Sequence, residues 1–131
     1  MPDLDAFTAI AEAQFDALPE EVRSLAGGIQ IRIAQWPEPD ALRAVGLDHP
    51  LQLLGLFEGI GLGRDGWSHQ SGTFPNRIWL YRMPILNFTA DGDDPLPDVI
   101  RHVLVHEIGH HFGLSDDDME AIDNAPEEPA V

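Results

Sequence analysis

The run His106-Glu107-Ile108-Gly109-His110-His111-Phe112-Gly113-Leu114-Ser115-Asp116 constrains the fold more than any other part of the chain. On an α-helix, residues four apart point the same way, about 40° apart around the axis. His106 and His110 have that spacing, and two imidazoles on one rigid face can grip a single cation. Glu107 is turned about 100° from His106, beside such an ion and not on it, where a base can take a proton from water. Gly113 suits the left-handed position that ends a helix. A turn there lets the chain double back, so that Asp116 reaches the same ion. The spacing therefore points to His106 and His110 as metal ligands, Glu107 as general base and Asp116 as third ligand of a hydrolytic zinc site.

Composition limits the alternatives. The chain has no cysteine, so any ion is held by histidines and carboxylates, and disulfides are excluded. Its 23 acidic residues against 7 basic ones give a net charge of −16, which repels phosphate backbones and anionic membrane surfaces. Neither nucleic acid nor a membrane is expected as a partner. At 131 residues with 44% hydrophobic content, one domain with one real core is expected. The acidic start lacks the basic region of a signal peptide, and the weakly polar run 50–63 is too short to span a bilayer. The expectation is a soluble cytoplasmic protein.

Periodicity supplies the elements around the motif. Residues 3–18 carry Leu4, Phe7, Ile10 or Ala11, Gln14 or Phe15, and Leu18 at helical steps, and Pro19-Glu20-Glu21 opens a second short helix that Gly27-Gly28 closes. Ile29, Ile31 and Ile33 alternate as a strand, and 40–46 forms a short helical turn. The apolar run 51–57 fits a strand or a helix equally. Glycines 59, 61, 63 and 66 lead into a polar loop over 64–75, residues 77–82 alternate as a strand that Pro84 stops, and 91–95 is a loop. The next helix, about 97–112, carries the motif and is apolar nearly all round, so it is expected to be buried. A last helix spans about 115–124. The single domain is expected over 1–124, with a disordered tail over 125–131.

Each acid and histidine near the motif also has a plainer role. Ser115 and Asp118 read as a capping box, and Asp116 and Asp117 suit the positive end of a helix without any metal. Glu120, one turn further, competes with Asp116 as third ligand. His102 lies one turn before His106, as a supporting residue or an ordinary helix histidine. His111 points away from the ligand stripe, and His49 and His69 are loop residues. Trp79 and Tyr81 alternate on a strand that fits a sheet edge, or plain cross-strand packing. The glycine-rich run after Glu58 lacks a Lys-Ser/Thr ending and is not a phosphate loop.

Residues 96–119, with the extended pattern His-Glu-x-x-His-x-x-Gly-x-x-Asp, resemble the minimal zincin-like metallopeptidases of bacteria. Leu54-Gly55-Leu56-Phe57-Glu58-Gly59 and Pro75-Asn76-Arg77-Ile78-Trp79-Leu80-Tyr81-Arg82 stand upstream at that family's order and spacing. The resemblance implies an α+β fold, with a small mixed sheet of three to four strands packed on N-terminal helices and a buried active-site helix. It implies Zn2+ as the cofactor, and peptidase chemistry on peptides or flexible protein segments, whose strands add to the sheet edge. Asp116 stands where the related metzincins use His, and Met119 follows the motif too soon for a separate Met-turn. A catalytically silent zinc-binding or interaction domain on the same scaffold is the competing reading. A metal-dependent endoribonuclease, with a third His in the pattern, is opposed by Glu107, by the missing His and by the charge.

Overall fold

The protein is described by a computed structural model that covers residues 2–58 and 76–124. Helix α1, Leu4–Asp16, starts where Asp3 Oδ1 accepts the Ala6 N–H at 2.8 Å. It buries Phe7 and Ala11, the apolar face its spacing predicts. Helix α2, Glu20–Ala26, follows Pro19 and ends at Gly27, whose φ of 61° falls in the region glycine tolerates best. Strand β1 is Gln30–Ala34, and a short helix α3, Pro39–Ala44, comes next. The ambiguous apolar run divides into a 3-10 turn, Pro50–Gln52, and strand β2, Gly55–Glu58. His49 caps that turn, its Nδ1 accepting the Leu51 N–H at 3.0 Å. The glycine-bearing loop, His69 and the tail expected over 125–131 lie outside the described residues.

Strand β3, Arg77–Tyr81, pairs parallel with β1 and antiparallel with β2, in the order β1-β3-β2. Of the two readings of Trp79 and Tyr81, a sheet edge or plain cross-strand packing, the pairing favours the second. Among the described strands β3 is the middle one, hydrogen-bonded to β1 along one edge and to β2 along the other. Ile78 and Leu80 are fully buried in the main core with α1 and the motif helix, while Trp79 and Tyr81 pack with Leu42, Leu53 and Leu56 on the other side.

Tyr81 carries a consequence that can be measured. Burial first, then the charges of Glu58, Glu38 and Glu107, push its phenol up from 10.0 to about 12. The folded state holds the proton longer than the unfolded chain, so the stability this contributes is full below about pH 10 and disappears as pH rises through about 12. The chain has one tyrosine, no cysteine and no lysine, so phenolate absorbance reports this group alone. A native-state titration is expected to give its step near 12 and the denatured chain near 10. A native step near 10 would show an exposed phenol.

Helix α4, Arg82–Asp91, occupies the stretch where Pro84 marks the end of the preceding strand. Pro84 lies in its first turn, where the missing N–H is not needed, so the same proline that stops β3 starts a helix. Helix α5, Leu96–Phe112, carries the motif and buries Val99, Ile100, Val103, Leu104, Val105 and Ile108. It is not apolar all round: Asp98, His102 and His110 are exposed and His106 is partly so, all at four-residue steps along one stripe. The histidine face opens to solvent, so the expectation of a helix buried nearly all round is corrected. Helix α6 is Asp116–Asp123.

Candidate metal centre

The corner between α5 and α6 forms where the sequence places it. Gly113 ends α5 with φ 75°, in the left-handed region, and the Leu114 N–H returns to Gly109 O at 2.8 Å. Ser115 then caps α6: its Oγ accepts the Asp118 N–H at 3.0 Å, and Asp118 Oδ2 accepts the Ser115 N–H at 3.2 Å. Helix α6 folds back against α5, with Met119 buried between them. A Cβ at Gly109 would fall 2.7 Å from Met119 Cγ and nearer still to its sulfur, so the second x of His-Glu-x-x-His has to be small here.

Glu107 leans the other way, towards the sheet. Its Oε1 accepts the Phe57 N–H of β2 at 3.0 Å, which pins one carboxylate oxygen and leaves the other for chemistry. Burial raises its pKa from the ordinary carboxylate value, opposed by that amide and by His110. A carboxylate shifted this way is a better match to proton transfer near neutrality. His111 stacks on Phe57 with ring centroids 3.9 Å apart, and Phe112 meets the same ring edge-on at 5.8 Å. His111 is thus structural, as its direction on the helix predicts: it clamps the end of α5 to β2 and so fixes Glu107.

The remaining histidines form a ladder. The His102 and His106 rings lie 4.0 Å apart, and those of His106 and His110 lie 5.7 Å apart, edge to face. Burial above all, then the neighbouring His102, keeps His106 below its usual pKa; Asp123 opposes this, His110 adds to it and Asp116 opposes it weakly. The imidazole therefore favours its neutral form, the one that ligates metals. Asp116 sits exposed at the start of α6, near enough for its charge to be felt at His106, and Glu120 is exposed one turn later. Among the described residues, the His, Asp and Glu ligand atoms gathered within 4.8 Å of one another belong to His102, His106 and Asp123. Asp116 and His110 are outside that group. Asp123 is the residue sequence reasoning missed. Its signal lay in α6, where the buried Met119 and half-buried Ile122 define the inward face that Asp123 adjoins.

Imidazole nitrogens and carboxylate oxygens, with no thiol in the chain, suit a borderline divalent cation such as zinc. A helix presenting two histidines one turn apart, with the intervening carboxylate tied to a strand, defines a metallopeptidase-type scaffold. The sequence profile of the zincin-like metallopeptidases matches residues 26–125, and the chain belongs to that family. A conserved hypothetical protein from Thermus thermophilus shares the fold, with a TM-score of 0.56 and 22% identity over 85% of this chain and 94% of that one. No curated protein matches the chain. Among the described residues, no helix is long and apolar enough to cross a membrane.

Proposed function

We propose that the chain is a zinc-dependent peptidase that hydrolyses peptide bonds in peptides or flexible protein segments. The observation that carries this reading is Glu107, half-buried, anchored to the Phe57 N–H and flanked along the helix by His106 and His110. His106 and His110 hold the ion, with Asp116 as third ligand. Zinc, when bound, supplies Lewis-acid polarisation of the scissile carbonyl and of water. Glu107 takes the proton from the attacking water as the carbon–oxygen bond forms. It then gives that proton to the amine nitrogen as the carbon–nitrogen bond breaks. The Phe57 N–H keeps the carboxylate in place through both transfers, and burial raises its pKa, which makes it the stronger base.

A peptide substrate is supported by two features. Strand β2 is an outer strand among those described, beside Glu107, and an extended peptide can add to such an edge through main-chain hydrogen bonds. Around the sheet's other face lies a cleft of about 530 Å³ floored by Leu56, Trp79 and Tyr81 and rimmed by Glu38, Asp40 and Glu58. That lining suits apolar side chains flanked by basic ones. The test is cleavage of a mixture of unstructured peptides. Hydrolysis that stops with a chelator and returns with zinc is the expected result. Stoichiometric zinc with no cleavage of any peptide would favour the catalytically silent domain instead.

A further inference from the structure

We infer that His102, His106 and Asp123 form a second position for a divalent transition-metal ion, one helical turn before the His106/His110 pair and sharing His106 with it. Ligand atoms of a tetrahedral ion bound at ~2.1 Å lie ~3.4 Å apart. His102 Nδ1 is 2.8 Å from Asp123 Oδ2, and His106 Nε2 is 3.7 Å from the same oxygen. These distances lie on either side of the spacing an ion imposes, and all three ligand atoms fall within 4.8 Å of one another.

The placement of Asp123 is the second observation. It is the last residue of α6, at the negative end of the helix dipole, and the last turn of that helix has no basic residue. Its side chain is only 19% exposed. A carboxylate both desolvated and opposed by the dipole is stabilised by a cation, and histidines 102 and 106 are aimed at it. Asp94 and Asp98 line the same cleft of about 640 Å³ and add negative potential, while Arg101, which donates to Ile122 O at 3.0 Å, opposes it.

Occupancy here has a functional consequence. His106 offers one Nε2, so an ion bound towards Asp123 takes that ligand from the ion beside Glu107. The two positions exclude each other, and the Asp123 position ties α5 to α6 with Glu107 left idle. The inference depends on His106 Nε2 and not on peptidase activity.

Zinc titration by equilibrium dialysis and the visible spectrum of the cobalt(II) form test it on the full chain. His110→Ala is expected to keep one zinc per chain, weakened by no more than about tenfold, and its cobalt form to keep the visible bands of a four-coordinate ion. Adding His102→Gln or Asp123→Asn to His110→Ala is expected to weaken binding a further 100-fold or so. A loss of more than about tenfold in His110→Ala alone, or no further loss in both double variants, would overturn it. Peptide cleavage by the wild-type chain is read separately and does not use His102, so failure here leaves the proposed reaction standing.

Discussion

Glu107→Gln is expected to keep its zinc and lose peptide hydrolysis by about 10²–10⁴-fold, the range that a general base contributes. The amide has the same shape, and its carbonyl oxygen can still accept the Phe57 N–H that now holds Oε1 at 3.0 Å. What it cannot do is take a proton from water. The variant should be no less stable than the wild type, because burial already disfavours the charged carboxylate and the substitution removes that charge. Zinc content and turnover measured on one preparation separate the two effects. Wild-type hydrolysis by this variant would remove Glu107 from the chemistry.

His106→Ala has the broadest expected effect, because both ion positions use that ring. Its zinc affinity should fall by at least about 100-fold, whereas removing His102 or His110 alone leaves one position complete. Stability reads the same event. At a zinc concentration about 100 times Kd, the wild-type chain gains about 2.7 kcal/mol, on the order of 10 °C in melting temperature for a domain this size. The variant should show no such rise, while its metal-free melting stays close to wild type because the side chain is 31% exposed and fills no core. A full zinc-dependent rise in His106→Ala would mean that the ion binds elsewhere.

The features legible in the sequence are those set by local physics. The period of α5, the left-handed Gly113 and the Ser115–Asp118 capping box are written within a few residues of one another, and so the corner that places α6 was readable. The alternation of β3 was equally plain. Its central position was not, because that depends on β1 and β2, which reach it from distant parts of the chain. Helix α4 escaped because a proline after a strand reads first as a stop. Glu107 meets Phe57 across 50 residues, and Asp123 meets His102 across 21, so neither pairing leaves a mark in the spacing of either partner. The motif picked out the helix that holds the candidate ligands, and only the packing of α6 brought Asp123 beside His102 and His106. The exposure of His110 is a further case: the apolar count of α5 suggested burial, but the polar side chains fall on one stripe at four-residue steps and the helix turns that stripe outward.

The central claim is that a cation binds on the exposed stripe of α5 at His106. Anomalous diffraction at the zinc absorption edge, from crystals grown with zinc at neutral pH, tests it most directly. The expected result is a peak at bonding distance from His106 Nε2, shared either with His110, where the Glu107 carboxylate stands beside the ion without bonding it, or with His102 and Asp123. A well-ordered crystal with no peak along α5, or with zinc held only by surface acids away from it, would contradict the account.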